Sequence, residues 1–311
     1  MLKNNKVFNL LQDRLIDPFN SSDLTLKDTF FQSESSEFPI HNGVARFVKD
    51  NSYLESFGFE WNTHTKTQID SITGEKESER QFLKKTGFSK KLLQNKLVLD
   101  AGIGAGRFAD IASGWGANVL GIDLSNAVDA AHKNLHKRDN VLIFQADIAH
   151  IPVKPNTFDY IYCIGVLHHT PNTYNHFKYL LNLLKPGGTI AIWVYPNDQF
   201  YSERALWTRF INKIPTKHFH MWCEFWIKFV DRHRDSQLVN YLKNIFPTSQ
   251  QGFGIDFDIL DTFDGVSPKY HWVHSVDEVK GWFKECNLID VQCPSDWITC
   301  VSGKKRLLTK S

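Results

Sequence analysis

Five short apolar runs recur along the middle of the chain: Leu97–Asp100, Asn118–Asp123, Val141–Gln145, Phe158–Ile164 and Thr189–Val194. The stretches between them are long enough for a helix or a loop. Neighbouring parallel strands need a crossover of that kind, and a sheet with helices on both faces buries both sides of each strand. The rhythm therefore predicts an α/β chain with a doubly wound parallel sheet.

The rhythm divides the chain. Residues 1–87 form an N-terminal cap, in which Phe38–Val48 reads as two β-prone runs around an Asn42-Gly43 turn. Tyr53–Gly87 is weakly helical and includes Trp61 and Phe82. Residues 88–195 hold the repeating core, and 196–270 interrupt it with an aromatic, charged and mainly helical insertion. Residues 271–311 resume it with a helix and two β-prone runs, Leu288–Cys293 and Trp297–Ser302. Ser275 and Glu278 stand at capping-box spacing ahead of a Val279, Trp282, Phe283 stripe.

Composition narrows the function classes. With 36 Lys and Arg against 34 Asp and Glu among 311 residues, the net charge is +2, which gives no reason to expect a nucleic-acid partner. The five cysteines form no C-x-x-C pair, which argues against a zinc ribbon or a disulfide framework and predicts a reducing, cytoplasmic setting. The first residues lack a signal-peptide pattern, and no apolar run is long enough to span a bilayer.

The sharpest local signal is Asp100-Ala-Gly102-Ile-Gly104-Ala-Gly106-Arg, directly after an apolar run. Glycines at such a turn let the backbone approach a ligand without a Cβ in the way. The spacing departs from the dinucleotide fingerprint, because the third glycine comes one residue early and Arg107 follows it. A carboxylate at Asp100 would repel a pyrophosphate but attract an ammonium or sulfonium group. Asp123 ends the next run where a carboxylate can accept both hydroxyls of a ribose, and Asp147 is placed to accept from an adenine amine. Ile164-Gly165 closes the fourth run with a small residue. The set describes a pocket for adenosine joined to a zwitterionic amino acid.

The ordered motifs D-x-G-x-G-x-G, G-I-D, Q-A-D-I, F-D-Y-I and L-K-P-G-G resemble a class I S-adenosylmethionine-dependent methyltransferase over residues 95–195. The resemblance implies a Rossmann-like, seven-stranded sheet whose last strand is antiparallel, with S-adenosyl-L-methionine as cofactor. It implies that Asp100 and the Gly102, Gly104 and Gly106 backbone hold the methionine end. Asp123 would take the ribose, with Leu124 against the adenine, Asp147 and Ile148 on its edge, and Ile164 and Gly165 alongside. Phe38–Phe47 also resembles the end of a Trm112-like zinc-ribbon module without its cysteines, as in an uncharacterised bacterial group. Tyr53–Trp61, Thr67–Asp70 and Asp261–Tyr270 with His274 are similar to other segments of that group.

Methyl transfer needs a general base only when the acceptor must first lose a proton. His168 and His169, just after the fourth run, and Tyr270 are the catalytic candidates; Asp264 and His274 are further acceptor-site groups. The motifs of adenine, glutamine and cytosine methylation are missing, so a small organic acceptor methylated on O or N is expected. RNA or protein methylation and a non-catalytic cofactor-binding scaffold are the alternatives. No metal is expected, although His271 and His274 form H-x-x-H behind several aspartates. In the insertion, Phe219, Trp222, Cys223, Trp226, Phe229 and Val230 fall on one helical face. That face either packs on the main domain or forms a hydrophobic acceptor site or interfacial helix for a lipid-like or aromatic substrate.

Overall fold

The computed structural model describes residues 2–48, 69–74, 76–211, 213–243, 245–250, 254–294 and 299–307. The expectations for Tyr53–Trp61, Thr67-Gln68 and the start of the last β-prone run at Trp297 lie outside those residues. The N-terminal strands are β1 (Thr25–Leu26), β2 (Phe30–Gln32), β3 (Glu37–His41) and β4 (Val44–Phe47). The apolar runs become β5 (Leu97–Ala101), β6 (Asn118–Asp123), β7 (Val141–Ala146), β8 (Phe158–Ile164) and β9 (Leu184–Trp193). The chain closes with β10 (Leu288–Gln292) and β11 (Cys300–Lys305).

The expected seven-stranded sheet is extended to eleven strands, in the order β1-β2-β3-β4-β7-β6-β5-β8-β9-β11-β10. The strands from β5 to β11 keep the doubly wound arrangement, and β11 runs antiparallel to both β9 and β10. The four added strands come from the cap. Asn42 and Gly43 both take positive φ (53° and 81°), the geometry of a tight hairpin turn, and this turn folds β4 back along β3. β4 then pairs in parallel with β7, Ala45 opposite Phe144. A row of backbone groups at the β7 edge is thereby covered by the chain's own cap.

Aromatic packing holds that junction. Phe47 is fully buried, with ring centroids 5.0 Å from Phe38, 5.1 Å from Phe144 and 5.5 Å from Phe31. Helices Arg107–Gly114 and Ala127–Leu135 contact β6, whereas Thr173–Leu183 and Val276–Glu285 carry Phe177 and Phe283 into the other core. Ser275 caps the latter helix by accepting from the Glu278 amide (3.1 Å), while the Glu278 carboxylate turns to His274 instead of completing a box.

The insertion contains helices Gln199–Ile211, Thr216–Arg232, Gln237–Lys243 and Ile255–Asp264. Its Phe219, Cys223, Trp226 and Val230 stripe meets Ile259 and Phe263 in a separate core. Phe219 stacks on Phe263 at 5.7 Å. The face expected to pack on the main domain or to receive an acceptor is thus the insertion's own interior. Replacing Phe47 with Ala empties the cap–sheet junction and should cost about 3–5 kcal/mol of stability. Urea unfolding followed by tryptophan fluorescence checks this, and a loss below about 1 kcal/mol would show that the cap packs independently of the sheet.

Candidate functional site

A cavity of about 550 Å³ opens at the carboxyl ends of the parallel strands, where open α/β sheets place their ligands. One half is walled by Gly102–Ala105, Ile122–Leu124, Ala146–Ile148 and Ile164–Val166. The other half is walled by the helix Glu77–Thr86, the end of β9 and the insertion.

The glycine loop is built for close approach. Gly102, Gly104 and Gly106 take φ of +91°, +52° and +96°, so L side chains there would be strained. A Cβ on Gly102 would also fall 2.2 Å from Val166 Cγ2. The Gly102 and Ile103 amides both donate to the Ile122 carbonyl (2.8 Å each), tying the loop to the end of β6. Gly106 lies behind the wall, against Leu135, where it starts the next helix. Asp123 accepts from the Gly104 amide (3.1 Å) and from the Ser125 amide and hydroxyl (2.9 and 2.7 Å). Its carboxylate is therefore fixed at the cavity wall, although burial raises its pKa.

Leu124 lines the cavity, and its carbonyl accepts from Gln145 Nε2 (2.9 Å). Asp147 accepts from the Ala149 amide (2.9 Å), opening a short turn that sets Ile148 on the wall. Ile164 and Gly165 complete that side, with the Gly165 amide bonded to the Trp193 carbonyl (3.0 Å).

Asp100 is placed differently from the expectation of a ligand-facing carboxylate. It lies beneath the loop and off the cavity wall, 3% exposed, and accepts from the Tyr162 hydroxyl at 3.0 Å. Burial raises its pKa from an ordinary 3.8 to about 8, with Asp123 adding to the rise and Tyr162 opposing it.

The two histidines separate. His168 is fully buried off the cavity wall; its Nδ1 accepts from the Tyr195 amide (3.3 Å) and its ring lies 3.7 Å from that of Tyr195. This is a packing position, and it corrects the expectation of a catalytic His168. His169 does reach the cavity. Its Nδ1 donates to the Tyr270 carbonyl (2.9 Å), so the lone pair sits on Nε2. Burial lowers its pKa to about 3, leaving it a neutral ring and a weak base near neutral pH. Tyr270 contributes this carbonyl rather than a hydroxyl on the wall, which corrects its expected role.

The H-x-x-H histidines also diverge. His274 is held by Glu278 and Thr173 (2.9 and 3.0 Å), whereas the His271 ring lies 4.9 Å from that of Tyr195. Among the described residues, no group of three or more His, Cys, Asp or Glu side chains is arranged to hold a metal ion.

Sequence reasoning missed several wall residues of the second half: Lys85, Trp193, Tyr195, Tyr201 and Arg204. Lys85 Nζ lies 3.7 Å over the Trp193 ring, and burial with the nearby Arg107 lowers its pKa to about 7. Arg204 is 4% exposed, donates to the Asp261 carbonyl (3.2 Å) and lies 3.7 Å from the Asp261 carboxylate. Its signal was available: Arg204, Thr208 and Ile211 share the inward stripe of their helix. Beside them Asp264 lines the cavity, with Oδ1 buried and lacking a hydrogen-bond partner among the described residues. Burial and the adjacent Asp261 raise its pKa to about 7, against the pull of Arg204.

Residues 99–192 match the family described as a methyltransferase domain. They form a class I S-adenosylmethionine-dependent methyltransferase domain. The chain is 32% identical over 143 residues to a ubiquinone biosynthesis O-methyltransferase of Thiobacillus denitrificans, spanning 43% of this chain and 59% of that one. It is 33% identical over 110 residues to sterol 24-C-methyltransferase of Schizosaccharomyces pombe, spanning 32% of this chain and 29% of that one. A solved structure, Haemonchus contortus phosphoethanolamine N-methyltransferase 2 with S-adenosyl-L-methionine, aligns with a TM-score of 0.46 at 19% identity. That alignment covers 83% of this chain and 47% of the other. These matches span less than two thirds of each relative's length.

Asp100 and Asp264 both bind protons more tightly in the folded chain than an unfolded carboxylate does. Their contribution to stability should therefore fall as pH rises from about 4 to about 8, while the buried histidines, whose proton affinity is lowered, contribute with the opposite sign below about 6.5. Asp100→Asn removes one of these groups, so it should raise the melting temperature at pH 8 and flatten the decline. Thermal denaturation across that range checks the sign; an unchanged slope would mean that Asp100 does not carry the effect.

Proposed function

We propose that the chain transfers a methyl group from S-adenosyl-L-methionine to a hydroxyl or amine of a small organic acceptor. The observation that carries this reading is the single cavity joining two unlike halves. The glycine-loop half suits an adenosine with an amino-acid tail: Asp123 for the ribose, Asp147 and Ile148 for the adenine edge, and the Gly102–Gly104 backbone beneath the tail. The buried Asp100 carboxyl suits a cationic ligand just above the loop, since positive charge there favours its ionised form. When bound, the cofactor supplies an activated methyl on a sulfonium centre.

The chain's own residues then have to orient the acceptor, exclude water and remove a proton. Trp193, Tyr195 and Tyr201 form an apolar wall for the acceptor body. Asp264 is the better-matched base. A group titrating near neutral pH can both hold and release a proton, whereas His169 at about 3 gives little driving force. In this reading the acceptor's proton would move to Asp264 Oδ1, leaving a lone pair on oxygen or nitrogen free to take the methyl that a bound cofactor would give up as S-adenosylhomocysteine. The relatives named for ubiquinone O-methylation and sterol methylation support acceptors that are small organic molecules.

An assay for S-adenosylhomocysteine release across a panel of phenols and amines tests the reading. Turnover should rise with pH through about 7, and Asp264→Asn should lower it about 100- to 10,000-fold while leaving S-adenosylhomocysteine affinity intact. Cofactor binding with no turnover on any acceptor would favour a non-catalytic scaffold. Turnover by wild type and equal turnover by Asp264→Asn would return the base to His169 or remove the need for one.

A further inference from the structure

The insertion carries a second surface that the cavity does not use. On the helix Gln199–Ile211, Arg204, Thr208 and Ile211 face inward while Leu206 and Phe210 stand 56% and 66% exposed. Ile214 follows in the connecting turn, also exposed. The next helix, Thr216–Arg232, presents Met221 and Phe225, the latter 67% exposed. Leu238, Tyr241 and Ile245 add a third exposed apolar set. Ring contacts join Phe210 and Phe225 to the aromatics beneath them. Phe210 meets Trp207 (6.5 Å), Phe225 meets Phe229 (6.2 Å), and Phe246 touches Trp207, Trp222 and Trp226 (5.5–5.9 Å). So many exposed large apolar side chains gathered on the helices of one insertion are unusual for a surface that meets only water.

The charges around it are of both signs with cations in excess. Residues 199–243 hold eight Lys and Arg against four Asp and Glu, so this stretch is +4 where the whole chain is +2. Lys217, Met221, Phe225 and Lys228 run down a single stripe at i, i+4, i+8 and i+11, with Lys228 paired to Glu224 (3.1 Å). Arg209 and Lys213 flank Phe210 in the same way. Among the described residues, Arg209, Lys213 and Lys217 have no carboxylate within 4.0 Å, so their charge is uncompensated. An apolar stripe edged by unpaired cations matches a layer that is apolar within and anionic at its boundary. Among the described residues no helix is long and apolar enough to cross a membrane, so contact at this face would be peripheral.

We propose that the outer face of the insertion docks on an anionic lipid bilayer. Leu206, Phe210, Met221 and Phe225 enter the headgroup boundary, and Arg209, Lys213 and Lys217 meet lipid phosphates. Tyr201 and Arg204, which line the cavity, lie on the opposite side of the first of these helices from the docking residues.

Co-sedimentation of the full chain with phosphatidylcholine vesicles, with and without phosphatidylglycerol, tests this. Binding is expected only with phosphatidylglycerol and should weaken as salt rises. The F210E/F225E double variant should bind the anionic vesicles at least ~10-fold more weakly while titrating S-adenosylhomocysteine as the parent chain does, which separates this proposal from the catalytic one. Binding to neither vesicle type overturns the proposal, as does equal binding by the double variant. A wild-type dimer in sedimentation velocity that the double variant fails to form overturns it too, because the face would then be a contact between copies of this chain.

Discussion

The turn at the end of β5 is the constraint on which the rest depends. Gly102 has no room for a Cβ because Val166, from the end of β8, already occupies that space. The Ile122 carbonyl draws the same turn toward the end of β6. Three strand ends are thereby locked together, and the free amide of Gly104 is left to fix Asp123. The cavity's first half follows from this one backbone approach. Gly121 shows the same economy of space: a Cβ there would meet Ile103 Cδ1 at 2.2 Å.

The second half rests on a different principle. It buries Lys85 and Asp264, which brings the proton affinities of both toward neutral pH. Such charges cost stability unless a ligand or neighbour compensates them. The arrangement is consistent with a site that becomes electrostatically complete only when its ligands are present. The insertion serves this site with one face while exposing an apolar, basic face on its other side.

Much of this was legible in the sequence, and the physics explains which parts. Apolar runs at crossover spacing located β5 to β9, because strands covered on both faces must be apolar throughout. Asn42-Gly43 marked its turn and Ser275 its cap through local backbone geometry alone. The extension of the sheet by β4 was not legible, since pairing Ala45 with Phe144 joins segments about a hundred residues apart. Asp100 was recognised by position but not by direction. Strand alternation sends it to the same face as Val98, toward Tyr162, rather than out over the loop. Lys85 and Arg204 were passed over because a lone cation on a helix reads as solvated until tertiary packing buries it. The Phe219–Val230 stripe was read correctly as apolar, but periodicity does not say which surface covers it.

A cavity shaped for an adenosine with an amino-acid tail should bind S-adenosylhomocysteine. Calorimetric titration with S-adenosylhomocysteine, beside NADH as a pyrophosphate-bearing control, tests it most directly. Micromolar binding of S-adenosylhomocysteine alone, lost in Asp123→Ala, is the predicted result. Binding of NADH in preference, or S-adenosylhomocysteine affinity unchanged by Asp123→Ala, would contradict it.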